Sequence, residues 1–195
     1  MEEAFSLDAL RSSHPVEVVV TNSWDAEQIF DDISYFKGSS IIRMTSDYLG
    51  SATFLKGVSL YLKKHAYTTA TAADLFDALD RVSDFDVTSF MKPWIREVGF
   101  PIVEVSEGGN EILLHQRRFI GCGCTQSDDD TTQWGIPLGD GKIQTNTVFD
   151  GRKTVIRSRD ISPYLLNHSQ SGFYHTQYTS GALQTICEMQ ESLSL

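Results

Sequence analysis

Apolar residues recur at helical spacing through the first half of the chain and at alternate positions through the second. Residues 1–24 carry no sustained period and are expected to be extended or irregular. Pro15 biases His14 away from helix, and residues 17–21 ("EVVVT") are expected either to pair as a short strand or to lie buried. From Asp25 the pattern turns helical, with Asp25 and Gln28 spaced as in a capping box and Ile29 and Phe30 supplying an apolar side. A second helix is predicted over 38–49, with Ile41, Ile42, Met44, Tyr48 and Leu49 as its stripe and Gly50 as its stop. Ser51 is placed to cap a third, whose apolar side is Phe54, Leu55, Val58, Tyr61 and Leu62. "TAAD" at 71–74 opens a fourth, carrying Leu75, Phe76, Leu79 and Val82. Asp86 opens a fifth, with Val87, Phe90, Met91, Trp94, Ile95 and Val98 as its inner stripe; Pro93 within it predicts a kink or a later start.

At Phe100 the period changes from 3.6 to 2. "FPIVEVS", "EGGN" and "EILLHQRRF" read as a hairpin with a glycine-rich turn. In its second strand Ile112, Leu114 and Gln116 face one way, and Leu113, His115 and Arg117 the other. Residues 121–133 are polar and loop-like. Further strands are predicted at "WGIPL", "IQTNTVF", "KTVIRS", "YLLN" and "GFYHTQY", the last two joined by a turn at "HSQS". Short strands at this spacing predict a β-sandwich. The tail from Ser180 is weakly helical.

Charge changes the picture mainly by exclusion. The 195 residues carry a net charge of −10. Nine basic residues stand against fifteen acidic over 1–100, and seven against eleven over 101–195. The acidity is thus spread along the chain, and a nucleic-acid partner, which needs a clustered basic face, is not expected. No run approaches the ~20 apolar residues that span a bilayer, so no membrane partner is expected and a cytoplasmic location is the default. The three cysteines, Cys122, Cys124 and Cys187, do not form a disulfide framework; the C-x-C pair lacks a second pair to complete a tetrahedral metal site. Asp128, Asp129 and Asp130 lack the alternation of a calcium-binding loop and read as a solvated loop.

Several linked segments carry a resemblance. "LDALRSSHPVEV", "IFDDISYFKGSSIIRM", "YLKKHAY", "DLFDAL" and "FMKPWIREVGFPIVEV", with "QRRF", "DDDTTQWGIPL" and "GFYHTQY" more loosely, resemble the zinc aminopeptidases of the aminopeptidase N type. These are gluzincin metallopeptidases, and the puromycin-sensitive and fungal cytoplasmic members look nearest. The resemblance covers roughly residues 5–180, in order. It implies an α+β chain in two parts. Residues 1–100 would be the helical C-terminal portion of a thermolysin-like catalytic domain, 101–179 a small β-sandwich, and 180–195 the truncated start of a C-terminal helical domain or a tail.

It also implies a role for one residue. The tyrosine of the family's Y-x-K-G motif points at the zinc site, and Tyr35 matches it. As a zinc-activated water attacks a peptide bond, a phenol donates a hydrogen bond to the oxygen that becomes negative. The phenol keeps its proton at neutral pH because its ordinary pKa is about 10. Read from its local sequence alone, Tyr35 is first of all an aromatic that packs or caps a helix start, and only the linked motifs of the resemblance reverse that reading.

The family's H-E-x-x-H motif and its G-A-M-E-N segment do not occur in the chain. None of His14, His65, His115, His168 and His175 is followed by Glu, and no two are four apart. His14 is expected in an exposed loop, His65 at a helix end and His115 on a strand surface. His175 stands where the family resemblance implies Arg. The expectation is therefore a fragment that retains the transition-state tyrosine without its own metal or amine site, inactive alone, with no cofactor of its own. Zinc is the cofactor of the family, and peptides are its substrates. The alternative is a non-catalytic module that pairs with a full-length aminopeptidase or a complementing half. Helices 2–5 are expected to leave apolar faces uncovered.

Overall fold

The computed structural model describes residues 1–20, 22, 30–108, 111–123, 131–138, 147–157 and 165–193. The helix start predicted at Asp25, the acidic run at 128–130 and Cys124 lie outside them.

The first seventeen residues depart from the pattern expected of them. Helix α1 spans Glu2–Asp8. It is amphipathic over too few turns to show a period, but it puts Ala4 and Asp8 inside. Residues 17–20 are neither strand nor buried: Val19 is 86% and Val20 44% exposed, and Glu17 is held at the end of the fifth helix, by its N–H to the Ile95 carbonyl and by its carboxylate, which accepts from the Arg96 guanidinium. A π-turn, Ile33–Lys37, then leads without a break into α2, Gly38–Leu49, which ends at Gly50 with φ +79°. α3 spans Ser51–Lys64 and takes Gly50, not Ser51, as its N-cap residue. α4, Ala72–Asp80, opens on a reciprocal capping box between Thr71 and Asp74. α5, Val87–Arg96, starts where Asp86 accepts from the Ser89 N–H at 2.8 Å. Pro93 sits in its second turn and the helix nonetheless begins at Val87 and ends at Arg96, leaving Val98 beyond it.

The stripe of α3 is a second departure. Leu55 is 63% and Leu62 60% exposed, and the one buried residue of the helix is Gly57. A Cβ on Gly57 would stand 2.6 Å from Leu79 Cδ2 and 3.2 Å from Leu79 Cα, so α3 and α4 meet backbone to side chain at that glycine. The apolar stripe of α3 is thereby split: Phe54 packs against the core, Val58 and Tyr61 are half-buried, and Leu55 and Leu62 face outward.

The second half builds two sheets. β1 (Pro101–Gly108) and β2 (Glu111–Arg118) form the predicted hairpin, with Val105 opposite Leu114. β5 (Lys153–Arg157) adds antiparallel to β2, and β6 (His175–Tyr178) adds parallel to β1. A short ladder of β3 (Ile136–Pro137) and β4 (Val148–Phe149) forms the other sheet. Residues 165–167 are not strand, and residues 168–170 form a 3-10 turn. Only the last four residues of "GFYHTQY" pair, because Gly172, Phe173 and Tyr174 are folded onto Asn167. That side chain donates to the Gly172 and Tyr174 carbonyls and accepts from the Gly172 N–H. α6, Ser180–Leu193, follows.

The inner face of β2 is the one expected: Ile112, Leu114 and Gln116 are buried. Gln116 joins the two sheets by donating to the Trp134 and Gly151 carbonyls and accepting from the Trp134 N–H. One continuous apolar core runs from Ile41, Met44 and Leu79 through Met91 and Trp94 to Val103, Leu114 and Trp134. The Trp94 indole donates to the Gly135 carbonyl at 3.0 Å, so α5 is tied to the sandwich by a polar bond inside that core. The fold is α+β.

Candidate active-site tyrosine and the ion pair beneath it

The Y-x-K-G segment divides its labour. Lys37 points inward and is fully buried, while Tyr35, two residues earlier, points out and is 57% exposed. The π-turn produces that split. Its extra residue rotates the chain before α2, and the Gly38 N–H reaches back five residues to the Ile33 carbonyl. Such single π-turns recur at functional sites because they re-aim one side chain without ending the helix.

The Lys37 ammonium finds three acceptors. Asp8 Oδ2 lies at 2.9 Å, the Gly99 carbonyl at 2.9 Å and the Glu97 carbonyl at 3.3 Å. Asp8, also fully buried, uses its other oxygen to accept from the Gly99 N–H at 2.9 Å and the Ser13 hydroxyl at 3.3 Å. One ion pair therefore binds α1, the π-turn and the turn before β1 at a single point. Burial pushes the Lys37 pKa below its ordinary value, and the Asp8 charge opposes that shift. Gly99 adopts φ +91° here, a conformation that favours glycine.

Above this anchor the backbone of Tyr35 is held from its N-terminal side. Asp31 Oδ1 accepts from the Ile33 N–H at 3.0 Å and the Ser34 N–H at 3.1 Å, and its carbonyl accepts from the Tyr35 N–H at 3.1 Å. The Tyr35 ring lies 6.1 Å from that of Phe30, centroid to centroid. Phe30 beside it and Phe36 next in the chain are exposed, as are Val19 and Val20 of the preceding segment, apolar residues that a folded chain ordinarily covers when they cluster.

The histidines are spent elsewhere. His14 is not in a free loop: its Nε2 lies 2.6 Å from Asp31 Oδ2 and its Nδ1 2.8 Å from the Pro15 carbonyl. Nothing in the "SSHPV" segment signals this pairing, which joins residues seventeen apart. His65 follows α3 as expected, 3.5 Å from Asp74. His115, on the outer side of β2, meets Glu104 at 3.0 Å, and Arg117 reaches the same carboxylate at 2.8 Å. The His175 ring stands 4.5–5.0 Å from those of Phe5, Phe100 and Phe119, and burial lowers its pKa, so an aromatic nest replaces the expected charge contact. Cys122 and Cys187 are exposed and not in a disulfide, and Cys122 Sγ accepts from the Arg11 guanidinium at 3.9 Å.

Comparison with known proteins shows the family. Residues 1–94 match the Peptidase family M1 domain. Aminopeptidase 2, mitochondrial, of Saccharomyces cerevisiae is 40% identical over 199 aligned positions, all of this chain and 21% of the yeast protein. The chain belongs to the M1 aminopeptidase family. Alanine/arginine aminopeptidase of the same yeast is 42% identical over 92% of the chain and 21% of its own length. Tricorn protease-interacting factor F2 of Thermoplasma volcanium is 36% identical over 98% of the chain and 24% of its own length. The chain thus spans about a fifth of the length of the M1 relatives it matches.

M1 enzymes are zinc-dependent. Among the described residues no three His, Cys, Asp or Glu side chains come together in a set that would hold a metal ion. The four histidines whose side chains are described each face a carboxylate or a nest of aromatic rings, and no two share a site. The described side chains do not fit a zinc site. No described helix is long and apolar enough to cross a membrane.

Proposed function

We propose that this chain is the portion of an M1 metalloaminopeptidase that carries the transition-state tyrosine, and that it removes N-terminal residues from peptides only when joined to the portion that binds metal and the peptide amine. The observation that carries the reading is Tyr35 itself. It is an aromatic residue left 57% exposed on a turn whose backbone is fixed on both sides. A held turn that presents a donor at the surface is what an oxyanion requires. The hydroxyl is presented at a set position, and the hydrogen bond strengthens only as negative charge develops on the substrate oxygen. Lys37 and Gly38, the other named members of the motif, serve the scaffold and not the chemistry. Residues 1–100 act as part of the catalytic domain and 101–179 as the sandwich behind it, with 180–195 leading onward.

The test is co-expression of this chain with an upstream M1 segment that bears H-E-x-x-H. The joined pair hydrolyses an amino-acid arylamide. Tyr35→Phe lowers its kcat/KM by about 10²–10³, the loss typical of one oxyanion donor. The chain alone, with zinc added, does not turn over. Turnover by the chain alone, or an unchanged rate in the Tyr35→Phe pair, refutes the proposal.

A second reading rests on the exposed Val19, Val20, Phe30 and Phe36 surface. There the chain docks on a full-length aminopeptidase without contributing catalysis. Co-elution with an intact M1 enzyme, with no gain of activity in the joined pair, favours it. A cytoplasmic location belongs with either reading, and fractionation of cells expressing the tagged chain checks it against the mitochondrial location in the name of one relative.

A further inference from the structure

Both ring nitrogens of His14 face acceptors that have no hydrogen to give. Nδ1 lies 2.8 Å from the Pro15 carbonyl oxygen, and Nε2 lies 2.6 Å from Asp31 Oδ2. A neutral imidazole has one N–H, so it can satisfy only one of them. Both bonds form together only when the ring carries two protons. The second Asp31 oxygen accepts from the Ile33 and Ser34 N–H groups, and the Asp31 carbonyl accepts from the Tyr35 N–H. The path from the imidazolium to the tyrosine is therefore three direct contacts long: ring to carboxylate, carboxylate to the first N–H groups of the turn, and the same residue's carbonyl to Tyr35.

We propose that His14 and Asp31 are positioning residues for Tyr35. The His14 imidazolium orients the Asp31 carboxylate so that it caps the π-turn, and loss of one ring proton to solvent frees that turn. The inference rests on Tyr35 being the oxyanion donor for its functional meaning, but not for its physical content. Among the described residues the charged groups that act on the ring are Asp31, in contact, and Asp8 of α1, whose charge acts through space and is neutralised by Lys37. The directions of titration agree. Burial alone would lower the His14 pKa, but the Pro15 and Asp31 bonds outweigh it and the pKa lies above its ordinary value. Burial would likewise raise that of Asp31, but the His14 bond and the turn N–H groups hold it below the ordinary carboxylate value. Stability supplied by the raised His14 is present below the unfolded-state value and is lost as pH rises through the folded one.

The test uses the chain as it stands, isotope-labelled, from about pH 5 to about pH 9, a range that brackets histidine titration. The His14 ring resonances and the Tyr35 and Ser34 amide resonances are followed together. The expected result is one shared midpoint, above that of an unstructured histidine. Across it the hydrogen-exchange protection factor of Tyr35 falls about tenfold or more, the scale of one charge-assisted hydrogen bond. His14→Gln, which keeps a donor that does not titrate, abolishes the pH dependence at Tyr35. Asp31→Asn lowers the His14 midpoint. Tyr35 signals that ignore the His14 midpoint, or that follow it unchanged in His14→Gln, overturn the proposal. Activity of the joined pair separates the two claims. If Tyr35 tracks His14 but Tyr35→Phe costs no activity, the positioning stands and the catalytic reading falls.

Discussion

Replacing Lys37 by methionine keeps most of the volume of the side chain and removes its charge. The consequences can be counted. The Asp8 carboxylate stays fully buried, still accepting from the Gly99 N–H and Ser13, but without its counter-ion. The Gly99 and Glu97 carbonyls each lose a donor. Breaking a buried pair from one side typically costs about 3–5 kcal/mol, because the remaining charge is left uncompensated. That is a large share of the roughly 5–15 kcal/mol by which a domain is stable. Replacing both partners, as Lys37→Met with Asp8→Asn, removes the orphaned charge and recovers part of the loss, so the two substitutions are far from additive. Urea unfolding of the four proteins, followed by circular dichroism, closes the cycle. A loss below about 1 kcal/mol for Lys37→Met, the scale of an exposed pair, would show that Asp8 and Lys37 reach water, and so would additive losses in the double variant. The reasoning that makes this ion pair the anchor of the tyrosine turn would then fail.

The other predictions follow from single contacts. Gly57→Ala forces α3 off Leu79; overpacking of about 1–3 kcal/mol exceeds the helix propensity gained, and the thermal midpoint falls. Asn167 holds a left-handed backbone at φ 54° and makes three side-chain bonds to the 172–174 turn. Asn167→Ala therefore costs about 2–3 kcal/mol, and Asn167→Gly less, by chemical denaturation. The bond from Arg117, with that of His115, holds the Glu104 carboxyl below its ordinary value. Its stabilisation is present above that ordinary value and disappears as pH falls through the folded one, so Glu104→Gln lowers stability at neutral pH, leaves the acid end least changed and thereby flattens the acid limb of a stability–pH profile.

How much of this was legible beforehand depended on how local each signal is. α2 begins and ends where the residues predict, and α4 and α5 begin there but stop short of Val82 and Val98; the β1–β2 hairpin forms, with β1 running two residues into the predicted turn. Their caps (Asp86, and Thr71 with Asp74) and their stops (Gly50) act over three or four positions, and their stripes repeat often enough to be read. α1 was missed because seven residues are too few for a period, and its reason to be helical lies far away, in the burial of Asp8 against Lys37. The stripe of α3 misled because periodicity reports that an apolar side exists, not that a neighbour covers it. Gly57 on a different side of the helix decided the packing. The strand predicted at 164–167 failed because the Asn167 side chain competes for backbone groups that a sheet ladder would have used.

The same division holds at the site. Sequence by itself determined the family, through the ordered motifs, and singled out Tyr35, because residue identity at fixed spacing is a one-dimensional property. The tertiary structure decided what each member of the motif does. A buried cation must find acceptors, and Lys37 finds them 29, 60 and 62 positions away, at Asp8, Glu97 and Gly99. His14 finds Asp31 seventeen positions away. No spacing rule encodes such distances. They arise because desolvated charge is costly until it is paired, and only the folded chain brings the partners to between 2.6 and 3.3 Å.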